Sequence, residues 1–170
     1  MPDSAIFPDE SLILPDLLGT CAEAQRSVDA FVETARARVA AMVTVDGKVN
    51  GECLNEEQYA GHGLSWIVTY ATGLRELLHW AERLEQVGQR GEIENLILQA
   101  AYGEYMNQLR SGLAISQGEI VRPGDMGMSD ADIASLASGA SERLLTEGNT
   151  NKVRMRIATL IEAGEFGNPN

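Results

Sequence analysis

Cysteine, aromatic side chains and positive charge are all scarce in this 170-residue chain. Its two cysteines, Cys21 and Cys53, belong to no CxxC pair and no Cys/His cluster. That excludes a disulfide framework and a cysteine-rich metal site, and it points to a reducing compartment, the cytoplasm. Thirteen Lys and Arg stand against 25 Asp and Glu, which leaves a formal charge of −12 and a pI near 4.5. Such a surface repels phosphate backbones and anionic lipid, so neither nucleic acid nor membrane is an expected partner. No apolar run approaches the roughly 18 residues of a spanning helix, and no secretory-signal pattern opens the chain. Active-site signatures are missing too: GxGxxG, the P-loop, GxSxG and HExxH do not occur. Dinucleotide, nucleotide, serine-hydrolase and zinc-helix chemistries therefore have no handle, and no metal is expected.

What the chain does have is helical periodicity. Residues 1–15 hold three of the five prolines, Pro2, Pro8 and Pro15, among Asp3, Asp9 and Glu10. They read as an N-terminal tail able to lie on the body through Ile6, Phe7, Leu12 and Ile13. From Asp16 to Thr44, Leu18, Cys21, Val28, Phe31, Val32, Ala35, Val39 and Met42 recur at helical spacing. Glu23, Arg26, Asp29, Glu33, Arg36 and Arg38 occupy the other faces, the pattern of an amphipathic helix. Thr44 to Val49 contains an Asp46-Gly47 hairpin signal, but its flanks are short and it reads as a plain turn.

Asn55 followed by Gln58 has capping-box spacing, so a second, long helix is expected from Asn55 to Val87. Tyr59, Gly63, Trp66, Tyr70, Leu74, Leu77, Ala81 and Leu84 form its apolar stripe, which Ile67, Leu78 and Trp80 widen. Gly88 and Gly91 suit a reversal into a third, largely buried helix from Glu92 to Val121. Gly103, Ser111, Gly112 and Gly118 give that helix small surfaces for close backbone approach, and Pro123 stops it. Ser129 with Asp132 opens a fourth helix through Ile133, Leu136, Ala137, Ala140, Leu144 and Leu145 to Gly148. Asn149 or Thr150 then caps a short fifth helix to Gly164, with Lys152, Arg154 and Arg156 facing outward. Residues 165–170 read as a linker or C-terminal tail. The expected fold is all-α: a bundle of about five helices, two of them long, central and antiparallel, forming one domain over residues 16–164.

Few residues invite chemistry. His62, between Gly61 and Gly63, reads as a partly buried packing residue, with contact to a bound group as the alternative. His79 reads as a surface residue near Arg75, Glu76 and Arg83. Tyr70, Tyr102, Tyr105, Trp66 and Trp80 could line a flat aromatic pocket, but their helical spacing favours core packing. Glu104, Asn107, Gln108 and Ser111 share the side of the third helix that continues Ile93, Ile97 and Ala100. This reads as the helix emerging into solvent, or else as a polar docking strip. Glu119 and Arg122 have the spacing of a helix-surface pair. No nucleophile has a base nearby, so no catalytic or cofactor-binding residue is assigned. Glu104, Asn107, Gln108, Glu119 and Arg122 make up the candidate docking surface.

Several strings carry a family resemblance: Gly47 to Val49, His62-Gly63-Leu64-Ser65-Trp66, Ile97-Leu98-Gln99, Gly103-Glu104-Tyr105, and Ser116 to Pro123 (SQGEIVRP). Together they resemble the N-terminal extension of methylsuccinyl-CoA dehydrogenases, members of the flavin-dependent acyl-CoA dehydrogenase family, from about Leu17 to Gly164. The resemblance implies an enzyme that oxidises a short, branched dicarboxylic acyl-CoA to its enoyl form. Electrons would pass from FAD to an electron-transferring flavoprotein, in a carbon-assimilation route for acetyl units. It also implies that the flavin pocket and catalytic glutamate lie in a dehydrogenase body following this segment. No family active-site residue maps onto a position here, the β-domain and the body's helical bundle are missing, and no flavin is expected on this segment alone. The implied role is an accessory helical domain that packs on the catalytic body of the same polypeptide and supports its assembly. Two other readings stay open: a free-standing helical interaction module that dimerises or binds a partner protein, and a ligand-binding bundle with a cavity around Tyr70, Trp66 and Tyr105.

Overall fold

The computed structural model describes residues 11–137 and 139–169. Helix α1 (Leu17–Val43) follows Asp16, which is held at φ 46° and makes no side-chain cap. Its buried face takes Cys21, Val28, Phe31, Val32, Ala35 and Val39 from the expected stripe and adds Leu17 and Ala24, while Leu18 and Met42 are half-buried. Strands β1 (Thr44–Val45) and β2 (Lys48–Val49) come next and pair antiparallel. This corrects the expected plain turn. Asp46 and Gly47 both take positive φ, 50° and 75°, a geometry whose twist matches that of the flanking strands, so two residues on each side are enough to pair.

Asn50, rather than Asn55, supplies the helix cap. Its Oδ1 accepts from the backbone N–H of Glu52 (2.9 Å) and Cys53 (3.0 Å) and starts α2 (Gly51–Glu56). The Asn55 carboxamide instead accepts from Gln58 Nε2 at 2.6 Å, and α3 (Gln58–Gln86) begins as a separate helix. Gly88, at φ 68°, opens the reversal after α3. At the start of α4 (Glu92–Ser111), the Glu94 carboxylate accepts from the Gly91 N–H at 2.9 Å. Helices α3 and α4 are thus the two long, hairpin-connected helices expected.

The third helix does not run on to Val121. Gly112 takes φ 136°, and an added Cβ there would lie 2.7 Å from Ile120 Cγ2. The chain therefore leaves the helix at a position only glycine tolerates. Strand β3 (Leu113–Ser116) pairs antiparallel with β4 (Glu119–Val121), with an irregularity between Ala114 and Ser116. A 3₁₀ turn over Pro123–Met126 follows. Ser129 and Asp132 form the expected capping box, but the fourth helix is broken into α5 (Asp130–Ala134), α6 (Ala140–Arg143) and a π turn (Leu144–Gly148). Gly139, at φ 56°, is one cause of the break. Thr150 caps α7 (Asn151–Glu162) through the Val153 N–H. Among the described residues the fold is seven α-helices with two small hairpins.

The core lies where α1, α3 and α4 meet, around Phe31, Ile67, Leu74, Leu98, Tyr102 and Met106. Each such side chain contributes about 1.5–3 kcal/mol on burial. A polar relay that begins in the core at Tyr102 and Gln25 and ends at the half-exposed Asp29–Arg75 pair fixes their register. The Tyr102 hydroxyl donates to Gln25 Oε1 at 2.8 Å, with the Leu74 carbonyl at 3.2 Å. Gln25 Nε2 donates to Asp29 Oδ1 at 2.8 Å, and Arg75 closes the chain onto the same oxygen at 2.6 Å. Helix α4 meets the π turn backbone to backbone. A Cβ on Gly103 would lie 2.7 Å from the Leu144 carbonyl oxygen, and one on Gly148 2.7 Å from that of Gln99. Gly103 is thus one of the close approaches foreseen from its small size.

Both ends of the described chain are tied down. Gln99 Oε1 accepts from the Leu14 N–H at 3.0 Å while its Nε2 donates to the Leu12 carbonyl at 2.9 Å, so the N-terminal segment lies on the body. Ile6 and Phe7, expected to do the same, lie outside the described residues. At the other end, Asn168 donates its N–H (2.7 Å) and side-chain amide (3.1 Å) to buried Glu94 and accepts from Trp80 Nε1 at 3.1 Å. Burial pushes the Glu94 carboxyl up, but hydrogen bonds from its own backbone N–H and from Asn168 and Gly91 outweigh it and hold the group below its ordinary 4.5.

Candidate functional site

Helix α3 contains no Asp, Glu, Lys or Arg from Gln58 to Leu74. Gln58, Tyr59, His62, Ser65, Thr69 and Thr72 nevertheless face solvent. His62, Trp66 and Tyr70 recur every fourth residue on this face, and Tyr105 of α4 extends the row. Successive rings meet edge to face, with centroids 6.2 Å (His62–Trp66), 6.4 Å (Trp66–Tyr70) and 5.0 Å (Tyr70–Tyr105) apart. These separations fall in the favourable range for quadrupole-driven contacts. The Trp66 indole N–H donates to His62 Nε2 at 3.0 Å. His62 is exposed and held by its helix neighbour, not partly buried as expected.

The second hairpin lies along the same face. A Cβ on Gly63 would sit 2.4 Å from Val121 Cγ1, so this glycine admits β4 against the helix. The Tyr59 hydroxyl donates to the Ile120 carbonyl at 3.0 Å. The aromatic residues weighed together in the sequence now divide. Tyr102 is in the core, Trp66, Tyr70 and Trp80 are half-buried, and Tyr105 is 39% exposed. Each ring's edge meets its neighbour's face, so Trp66, Tyr70 and Tyr105 form a strip and not the walls of a cavity. A cleft of about 200 Å³ lies elsewhere, between Ser11–Pro15 and Arg143, Glu147, Thr150 and Val153.

The five docking candidates fall into two groups. Glu104 accepts from Gln108 Nε2 and from Asn149 Nδ2, both at 2.7 Å. Asn107 Nδ2 donates to the carbonyls of Leu145 (2.9 Å) and Gly103 (2.8 Å). Glu104 and Asn107 thus help fasten α4 to the π turn and the residue after it. Glu119 and Arg122 are not a helix pair. They lie at the second hairpin, where Glu119 accepts from the Ser116 hydroxyl at 2.7 Å and the Arg122 N–H donates to Asp125 at 2.7 Å.

Electrostatics argue against a nucleophile in the core. Burial pushes the Cys21 thiol up to about 12, against a smaller opposing pull from Arg90, and a thiol that stays protonated is inert. Burial likewise raises the Tyr102 phenol. Glu76 and His79 have Glu-x-x-His spacing on α3 and approach within 3.7 Å. No group of three or more His, Cys, Asp or Glu among the described residues is placed to hold a metal ion. No helix among them is long and apolar enough to cross a membrane.

Fold and face together define an all-α bundle that carries a charge-free aromatic strip on an otherwise acidic surface. Over 149 residues, 88% of its length, the chain is 44% identical to (2S)-methylsuccinyl-CoA dehydrogenase of Cereibacter sphaeroides. It spans 26% of that relative's length. No family model matches the chain. The resemblance carried by the short strings therefore extends across nearly the whole chain, to one part of an acyl-CoA dehydrogenase.

Proposed function

We propose that this chain is the accessory helical domain of a flavin-dependent acyl-CoA dehydrogenase of the methylsuccinyl-CoA type, located in the cytoplasm and not catalytic by itself. It packs against a dehydrogenase body of the same polypeptide, which holds FAD and the catalytic glutamate and oxidises the acyl-CoA. The observation that carries this reading is the 44% identity over 88% of the chain, confined to 26% of the relative. Two observations support a segment that takes no flavin of its own: the cleft beside Ser11–Pro15, about 200 Å³, is smaller than the roughly 300–1,000 Å³ that encloses a ligand of even drug size, and the rings of Trp66, Tyr70 and Tyr105 present edges to one another rather than a slot for a planar group. No step of the oxidation is therefore assigned to a residue of this chain. Its contribution is structural, through the neutral face of α3 and a polar rim that includes Glu104, Asn107, Gln108, Glu119 and Arg122.

The test compares the 170-residue chain with the polypeptide encoded by its complete reading frame. The complete polypeptide is expected to be yellow and to oxidise methylsuccinyl-CoA with an electron acceptor, and the short chain to do neither. Flavin absorbance with turnover in the short chain, or a reading frame without a dehydrogenase body, overturns the proposal. In the second case a stable dimer by light scattering supports a free-standing interaction module instead.

A further inference from the structure

We infer that the dehydrogenase body seats on the neutral aromatic face of α3, between Tyr59 and Tyr70 with Tyr105 and Ile120 at its margins. This rests on the accessory-domain reading above and names the surface that serves it. Charge depletion is the first argument. The chain carries 38 charged residues (13 plus 25), yet the exposed positions from Gln58 to Gly73 have none, and loss of charge with gain of aromatics is what marks the centre of a protein interface. Preorganisation is the second. Tyr and Trp present large areas at the cost of two torsions each, and here the rings brace one another and His62 accepts the indole hydrogen bond.

Two of the other faces, on α1 and α4, fit less well. The outer side of α1 is studded with Glu23, Arg26, Glu33, Arg36 and Arg38, all exposed. The polar strip of α4 is engaged with Asn149 and Leu145, which suits it to the rim of a contact rather than its centre. The occupant follows from length and charge. The greater part of the 44%-identical relative lies outside the matched segment, which supplies a covalently attached body. A second copy of this chain would bring another formal charge of −12 against the first.

The experiment reads thiol labelling by peptide-resolved mass spectrometry in a Cys53→Ser background, where buried Cys21 stays silent. Ser65→Cys and Thr69→Cys place exposed probes on the face, and Glu33→Cys places a control on α1. Each is labelled in the 170-residue chain and in the complete polypeptide. The α3 probes are expected to react about tenfold more slowly in the complete polypeptide, with the control unchanged, as burial at an interface core requires. Equal α3 rates in both forms overturn the inference. If the control is slowed instead, the accessory-domain reading survives with a different docking face; if no probe is slowed, that reading loses its packed body as well. Slow α3 labelling in the short chain, together with a dimer by light scattering, would assign the face to a second copy and also overturn the inference.

Discussion

The first hairpin, Thr44–Val49, and the second, Leu113–Val121, both reverse the chain between helices, yet only the second reaches the core. Val45 and Val49 are 48% and 67% exposed, whereas Leu113 and Val121 are 2% and 1% exposed. The first is made by its turn: Asp46 and Gly47 adopt positive φ, and the strands follow. The second is made by its anchorage. Gly112 releases the chain from α4, Gly63 makes room on α3, and Leu113 and Val121 pair across the ribbon and enter the core. A short β-ribbon can thus be specified by local backbone geometry or by the helix it lies on, and the two kinds should fail differently.

The largest expected effect is at the anchorage. Leu113→Ala removes a buried side chain and should cost about 2–5 kcal/mol, as a drop in the urea midpoint. A cost below about 0.5 kcal/mol, the range of an ordinary surface change, would erase the contrast between the hairpins. Gly63→Ala comes next. It forces a methyl against Val121 and should cost about 1–3 kcal/mol. Pairing it with Val121→Ala should recover part of that loss, a coupling that a double-mutant cycle reads directly. Strictly additive losses would mean that the contact is not what seats the ribbon.

Gly47→Ala tests the turn-made hairpin. With φ 75° and open space around the position, the only penalty is conformational, about 1 kcal/mol. NMR should show loss of the Thr44–Val49 pairing while Leu113–Val121 stays intact. Smallest of all, Val49→Thr should shift stability by no more than about 0.5 kcal/mol, checked by thermal unfolding. A larger loss would show that the first hairpin also has a hidden packing partner.

The helices with local end signals were legible in the sequence. The Gly88–Gly91 reversal, the Ser129 capping box and the Thr150 cap all carry their cause within a few residues, and α1, which lacks an end cap, was legible from its apolar spacing. The β-ribbon after Gly112 was not, because Leu113, Ile115, Ile120 and Val121 suit a helical face as readily as a strand, and burial against α3 decides between them. The break after α5 was hidden in the same way, within a spacing that continues past Gly139. At the candidate site, charged and polar residues drew attention, while the informative signal was the absence of charge from Gln58 to Leu74. Two of the strings behind the family resemblance, His62–Trp66 and Ser116–Pro123, proved to be spatial neighbours, since Gly63 meets Val121. Only tertiary structure could make that visible.

The fastening of Asn168 also governs motion. A Cβ on Gly167 would lie 3.0 Å from both Glu94 Oε1 and Ile93 Cγ2, and Asn168 is held by Glu94, Trp80 and the Gln89 carbonyl. A fluorescent protein joined closely after Pro169 would then rotate with the bundle as one body, and its anisotropy would decay with the slow correlation time of the combined mass. Asn168→Ala removes the two side-chain hydrogen bonds, to Glu94 and the Gln89 carbonyl, but keeps the two backbone ones, and should shorten that decay in part without unfolding either body.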